Sequence, residues 1–182
     1  AIFRFNLLQQ AGRQEEAMAS LEEYNKEYSS PYVLSTLGDF QMSMYNDSTA
    51  LAYYNEALDI APDFSPALLG KAETLRMTRK YDEYFDVLDR FVVSEDSPVA
   101  SKTDYLTAVV QRTDPKFLRT FMPQMDTVMN KMVTMHPVDS TVLRLAGIYY
   151  WSTERKDSSK VYFGRNARIN PNSFPANADY VE

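Results

Sequence analysis

The chain has 182 residues, 45% hydrophobic and 24% charged, a balance typical of a folded globular protein rather than a disordered one. It contains no cysteine, which excludes a disulfide scaffold, a thiolate metal site and a cysteine nucleophile. The formal net charge is −6, and residues 1–98 hold 8 Lys or Arg against 17 Asp or Glu, which disfavours nucleic acid as a partner. No apolar run reaches the roughly 18 residues that a membrane span needs.

The first 30 residues indicate a partial helix pair with a turn at Gly12. The stretch from Leu34 to Pro62 is more regular and predicts two amphipathic helices joined by a turn at residues 45–48. Apolar or small residues recur at helical spacing on both sides of that turn: Leu34, Leu37, Gly38, then Ala50, Tyr54, Ala57 and Leu58. Since two helices approach closely only where side chains are short, Gly38 predicts tight packing between them.

A period of 34 residues runs through the sequence. Pro62 and Asp96 close two successive segments, and Pro137 and Pro171 close two others. Periods of this length indicate a helical repeat. The interval from Asp96 to Pro137 is seven residues too long, about two extra helical turns.

The repeat resembles the tetratricopeptide repeat (TPR) family, whose helix-turn-helix unit has preferred residues at eight slots. The match is good at 31–64 and 140–173 and looser at 65–98. The matching residues of the unit at 140–173 are Leu143, Ala146, Gly147, Tyr150, Ser159, Phe163 and Pro171. The resemblance implies an all-α, right-handed solenoid of about four to five antiparallel helix pairs.

We predict one repeat domain over residues 1–182, with units at 1–30 (partial), 31–64, 65–98, 99–137 (expanded) and 140–173, and a further unit starting at 174–182. Neither end carries an obvious polar cap, so we expect the chain to be an excerpt of a longer protein. Its ends are then expected to bury themselves in neighbours or to mediate self-association.

Residues 99–137 contain their own helix signals. Asp114 before Pro115 is a favourable helix start, and Pro123 should interrupt the helix that follows. We therefore predict one helix from Pro115 to Phe121 and another from Gln124 to Met135.

Few side chains suggest catalysis, and we predict no enzyme activity and no cofactor or metal. His136, the only histidine, lies in a helix-ending turn, where the helix dipole explains it. The five glycines never cluster into a phosphate-binding loop. Met125, Met129 and Met132 fall at packing slots, so we expect them in the core rather than in a metal site.

In TPR proteins the first helix of each unit lines a groove that binds peptides or partner helices. The corresponding positions here are Asn6, Gln9, Tyr32, Ser35, Asp39, Met42, Leu69, Glu73, Arg76, Arg144, Ile148 and Trp151. The Lys and Asn residues with which chaperone-binding members clamp a terminal carboxylate are absent. Because Asp39 and Glu73 are central, a neutral or basic segment fits better than a carboxylate terminus. Trp151 is equally consistent with a binding anchor and with packing against a following unit.

The sequence therefore predicts a non-catalytic scaffold that presents a groove to a protein or peptide. The alternative is a sensory or regulatory segment of a larger enzyme, receptor or transport-associated envelope protein. Binding of a small molecule or glycan, suggested by 13 tyrosines, is a weaker third hypothesis. A bacterial cytoplasm and a periplasm or cell envelope fit the composition about equally well.

Overall fold

A computed structural model describes residues 1–181, and in this range all regular secondary structure is helical. The helices are α1 (Ile2–Gln10), α2 (Gln14–Glu27), α3 (Pro31–Ser43), α4 (Asp47–Ile60), α5 (Ser65–Met77), α6 (Tyr81–Val93), α7 (Val99–Arg112), α8 (Pro115–Thr120), α9 (Met122–Met135), α10 (Ser140–Ser152), α11 (Lys156–Ile169) and α12 (Phe174–Val181). The chain divides into two compact units, Ala1–Asp96 with α1 to α6 and Ser97–Glu182 with α7 to α12.

Unit 1 consists of three helix pairs, α1–α2, α3–α4 and α5–α6. The second helix of each pair also packs against the first helix of the next, and α3 packs against α5. The packing positions expected of the pair α3–α4 are confirmed, because Leu34, Leu37, Ala50, Tyr54 and Ala57 are all fully buried. Burial of this amphipathic face stabilises helices that would be marginal alone.

Tyr54 lies at the centre of unit 1, between two glycines of neighbouring helices. A Cβ atom at Gly38 of α3 would lie 2.6 Å from Cε1 of this ring, and one at Gly70 of α5 would lie closer still. Non-bonded carbon atoms do not approach to that distance, so a side chain at either position would require the Tyr54 ring to move. The predicted close packing at Gly38 is confirmed, and Gly70 extends it to the next helix pair.

A left-handed residue marks the turn within each regular pair. Gly12, Tyr45, Arg79 and Glu154 have φ values of 74°, 60°, 60° and 63°. Only glycine adopts this conformation without steric cost. Tyr45 and Arg79 lie 34 positions apart, so this turn conformation recurs with the period of the repeat although the side chains differ.

Unit 2 begins with the expanded segment. The Asp114 carboxylate caps α8 by accepting a hydrogen bond from the Lys116 backbone N–H at 2.8 Å, as its sequence predicts. The helix is interrupted at Phe121, between α8 and α9 and two residues before Pro123, which confirms the predicted interruption. However, α9 begins at Met122 rather than at residue 124, because proline is accommodated in a first helical turn, where its missing N–H is not needed.

The second helix pair of unit 2 is α10–α11, and α12 packs against both of its helices. Asp139 caps α10 by accepting from the N–H groups of Thr141 and Val142. A Cβ at Gly147 would overlap the Phe163 ring, which repeats the glycine-to-aromatic contact of unit 1. Residues 174–181 of the proposed further unit form α12, whereas position 182 lies outside the described residues, and the division into repeat units stays a prediction.

Candidate functional site

Five of the predicted groove residues lie on the first helices α3 and α5 of unit 1, which pack against each other. Asp39 and Met42 belong to α3, and Leu69, Glu73 and Arg76 belong to α5. We call these five residues the α3–α5 face. The Thr74 hydroxyl donates to the Gly70 carbonyl at 2.8 Å, and its Oγ1 lies 3.2 Å from Sδ of Met42, so α3 and α5 are in contact there.

Asp39 is the acidic centre of the α3–α5 face. Its Oδ1 accepts a hydrogen bond of 2.7 Å from the Tyr54 hydroxyl, and it makes no ion pair with any described residue. Although the side chain keeps an exposed edge, desolvation by the surrounding helices raises the pKa of the Asp39 carboxyl and outweighs the lowering effect of Tyr54. The carboxylate is therefore a poorly compensated negative charge, which a cation would stabilise.

Glu73 contributes less negative charge to this face than the sequence pattern predicts. Nε of Arg76, one helical turn later, donates to Oε2 of Glu73 at 2.9 Å. The two side chains are about 30% exposed and neutralise each other. Asp39 is thus the principal uncompensated carboxylate among the five residues.

The remaining predicted positions of unit 1 have different environments. Asn6 and Gln9 are exposed on α1, and the Tyr32 side chain is 54% exposed at the start of α3. Ser35, in contrast, is 2% exposed, and its hydroxyl has no hydrogen-bond partner among the described residues. Its position inside the unit leaves almost no surface for a ligand.

In unit 2 the three predicted groove residues all lie on α10. Arg144 is exposed, and its Nε donates to Oδ2 of Asp179 on α12 at 2.6 Å. Ile148 and Trp151 line a cleft of about 840 Å³ formed by α10, α11 and α12. The Trp151 side chain is 52% exposed, and Nζ of Lys156 lies 5.4 Å from its ring centroid.

A second cleft of unit 2, of about 400 Å³, lies between α7 and α10. Its α7 wall includes Asp104, Ala108 and Gln111, none of which belongs to the predicted groove set. Thr103 and Leu106 are buried, as the packing positions of a repeat unit that starts at Ala100 rather than at residue 99 would be. In a unit with that start, Asp104, Ala108 and Gln111 take groove positions. The spacing of the apolar residues of α7 is the sequence signal that could have located them.

A polar cluster joins α9, α10 and the turn before α11 in unit 2. Asp126 of α9 accepts from the Tyr149 hydroxyl at 2.6 Å and from both terminal nitrogens of Arg155, at 2.8 and 2.7 Å. Arg155 also lies over the Tyr150 ring, 4.5 Å from its centroid. Burial by itself would raise the pKa of Asp126, but the hydrogen bonds from Arg155 and Tyr149 and the charge of Arg155 lower it overall.

The residues considered for other chemistry lie in the core of unit 2 or at a helix end. Met125, Met129 and Met132 are buried in unit 2, which confirms the predicted core role. His136 follows the last residue of α9 as its C-cap. Within residues 1–181, no group of three or more His, Asp or Glu side chains is placed to hold a metal ion. None of the helices described has the length and apolar character that a bilayer crossing needs.

The architecture is shared with several solved proteins. A tetratricopeptide repeat protein from Parabacteroides merdae superposes with a TM-score of 0.58 at 14% identity, over 98% of this chain and 69% of that one. MamA residues 41 to the end, from Desulfovibrio magneticus RS-1, give a TM-score of 0.53 at 16% identity, over 93% of both chains. YrrB, described as a TPR protein with an unusual peptide-binding site, gives 0.50 at 14% identity, over 98% of this chain and 89% of that one.

The chain has a TPR-type helical repeat fold. In sequence the relationship is far weaker, since no protein-family model matches the chain and no curated protein sequence does. The predicted all-α TPR-like fold class is confirmed, and at these identities the similarity establishes the fold alone.

Proposed function

We propose that this TPR-type chain is a protein-interaction scaffold that binds a neutral or basic segment of a partner protein on the α3–α5 face. The observation that carries the proposal is the environment of Asp39, a carboxylate with a raised pKa and no ion-pair partner among the described residues. A Lys or Arg side chain that reached Asp39 would supply the missing counter-charge. The structural similarity to YrrB, a protein described as having a peptide-binding site, supports the same class of function.

The chemistry of the face favours recognition over catalysis. Besides Asp39, it offers two apolar side chains, Met42 and Leu69, and the mutually neutralised pair Glu73 and Arg76. Apolar contacts would supply affinity, and the single carboxylate would supply selectivity against acidic or carboxylate-terminated segments. We accordingly propose that the chain has no enzymatic activity of its own.

An array of short immobilised peptides that differ in net charge tests this function. The wild-type chain should retain neutral and basic peptides, and Asp39→Lys should weaken retention of the basic ones about tenfold. Asp59→Lys is the matched control, because it makes the same charge change at an exposed position of α4, outside the face, and should alter binding less than about twofold. Preferential retention of acidic or carboxylate-terminated peptides would refute the proposal.

A further inference from the structure

Two tyrosine rings lie against each other at the end of α2 in unit 1. Tyr24 belongs to the last turn of α2 and Tyr28 is its C-cap, so the two residues are four positions apart. Their ring centroids are 5.1 Å apart, and the ring planes are inclined by 36°. Aromatic rings at this separation are in direct contact. We call these two residues the α2 tyrosine pair.

Both rings of the α2 tyrosine pair can be reached from solvent. Tyr24 is 38% exposed and Tyr28 is 54% exposed. A haem peroxidase, which removes single electrons from phenols, therefore has access to both rings. The chain contains no cysteine, so no thiol of the protein competes for such an oxidant.

The neighbouring carboxylate favours oxidation of Tyr28. Glu27 accepts a hydrogen bond from the Tyr28 hydroxyl and raises the pKa of that phenol. Because the phenol keeps its proton at neutral pH, the proton leaves when the ring loses an electron, and Glu27 is placed to accept it. The negative charge of Glu27 also stabilises the positive charge that develops on the ring.

A second pair of tyrosine rings, in unit 2, lacks these properties. Tyr150 and Tyr162 are stacked with their centroids 5.2 Å apart, but Tyr150 is only 9% exposed. The guanidinium of Arg155 lies 4.5 Å from the centroid of the Tyr150 ring, and its positive charge opposes the loss of an electron. The α2 tyrosine pair should therefore be oxidised before the pair of unit 2.

We infer that the α2 tyrosine pair is an oxidative modification site, at which a haem peroxidase with hydrogen peroxide joins the two side chains as dityrosine. Each phenol loses one electron and one proton, and the two radicals form a carbon–carbon bond between ring positions next to the hydroxyl groups. The ring hydrogens at the new bond then move to the oxygens, which restores both phenols. Hydrogen peroxide accepts the two electrons and two protons and becomes two molecules of water.

The new bond fixes the last turn of α2 where the chain leaves it for α3. In a chain without cysteine, this link takes the place that a disulfide would have. The inference goes beyond the proposed function, because neither tyrosine belongs to the α3–α5 face.

Trypsin provides a direct readout, because it cuts after Lys26, between the two tyrosines. It separates residues 14–26, in which Tyr24 is the only tyrosine, from residues 27–71. The full chain is treated in dilute solution with a haem peroxidase and an equimolar amount of hydrogen peroxide, and the monomer is then isolated and digested. Mass spectrometry should find the two peptides joined, with two hydrogen atoms fewer than their sum, together with the fluorescence of dityrosine.

Tyr28→Phe should lower the yield of the joined peptide more than about tenfold, because rings held in contact couple far more efficiently than rings that must diffuse together. Tyr45→Phe is the matched control, since it removes a tyrosine of the same tryptic peptide that is 81% exposed, and it should leave the yield unchanged. The site would be overturned by an undiminished yield in Tyr28→Phe or by faster coupling of Tyr150 with Tyr162. Methionine sulfoxides as the sole products, or coupling of Tyr24 mainly to Tyr45, would overturn it as well.

Discussion

Each unit contains a tyrosine hydroxyl that donates to an aspartate, with nearly equal lengths of 2.7 Å for Tyr54 to Asp39 and 2.6 Å for Tyr149 to Asp126. Only Asp126 also accepts hydrogen bonds from an arginine, Arg155. Desolvation therefore raises the pKa of Asp39, whereas the added arginine reverses the balance and lowers that of Asp126. The comparison teaches that the same hydrogen bond leaves a charge available to a partner in unit 1 and satisfies it internally in unit 2.

The two units also differ in which aromatic residue packs against a glycine and which one donates a hydrogen bond to the aspartate. In unit 1 the ring of Tyr54 packs against both Gly38 and Gly70 while its hydroxyl holds Asp39. In unit 2 these tasks belong to two residues, since Phe163 packs against Gly147 and Tyr149 holds Asp126. Tyr54 should accordingly be the more sensitive position.

The largest effect is expected at Tyr54, which is fully buried. Tyr54→Ala should lower the free energy of unfolding by about 3–5 kcal/mol, because it removes a buried aromatic ring from between three helices. Tyr54→Phe keeps the ring and loses only the hydroxyl, so about 1 kcal/mol is expected. Urea denaturation followed by circular dichroism measures both, and equal losses would show that packing of the Tyr54 ring does not stabilise unit 1.

The next effect concerns the glycine that faces this ring. Gly70→Ala should lower the free energy of unfolding by about 1–3 kcal/mol, because its methyl group would overlap the Tyr54 ring. In the Tyr54→Ala background the same substitution should be nearly free or stabilising, since alanine is the better helix former by about 1 kcal/mol. Urea denaturation of the four variants gives the coupling, and additive losses would contradict the contact.

A smaller effect is expected when the arginine that distinguishes the two aspartates is removed. Arg155→Met should lower the free energy of unfolding by about 1–2 kcal/mol, since two charge-assisted hydrogen bonds and a stacked ring are lost at a partly solvated site. Its side chain and that of Asp126 are 28% and 32% exposed. Thermal unfolding of this variant beside Lys116→Met, a change at an exposed position of α8, separates the local effect from the change in net charge.

The smallest effects should have opposite signs in the two units. Since the folded-state pKa of Asp126 lies below the ordinary value of about 3.9, its carboxylate stabilises the fold at neutral pH, and that stability is lost as the pH falls through the folded-state pKa. Asp126→Asn should therefore destabilise at pH 7, with a difference from wild type that shrinks in acid.

Asp39 should behave in the reverse manner because its folded-state pKa is raised. The charged form costs stability above that pKa, so Asp39→Asn should stabilise at pH 7, and the gain should vanish below about pH 3.9. Urea denaturation of Asp126→Asn and Asp39→Asn from pH 7 to below about pH 3.9 provides the measurement. The same sign for the two would contradict the electrostatic difference between the units.

The sequence predicts the helices better than the contacts between them. Apolar spacing and prolines at 115 and 123 locate α8 and α9 within two residues, because backbone preferences are local. The hydrogen bond from Tyr54 to Asp39 joins two helices, and no periodicity specifies which side chains meet there. For the same reason the sequence does not predict the contact between Asp126 and Arg155, since neither residue belongs to a recognisable motif.

The candidate site rests on the repeat pattern, which assigns Asp39, Met42 and Glu73 to groove positions of α3 and α5, and these assignments stay predictions. The same pattern also selects Ser35, which is buried. α7 contains no glycine that would fix its repeat register, and a shift of one residue rotates a helical position by about 100°. The sequence therefore does not place Asp104, Ala108 and Gln111 at groove positions.

The methionine core of α9 has a further consequence for oxidative chemistry. Without cysteine, the nine methionines carry all the oxidisable sulfur of the chain. Met44 and Met77, about half exposed at helix ends of unit 1, will react with peroxide first, whereas Met125, Met129 and Met132 are shielded until α9 opens. The rate at which these three α9 methionines form sulfoxides, followed by mass spectrometry, therefore reports how often α9 opens, without an added label.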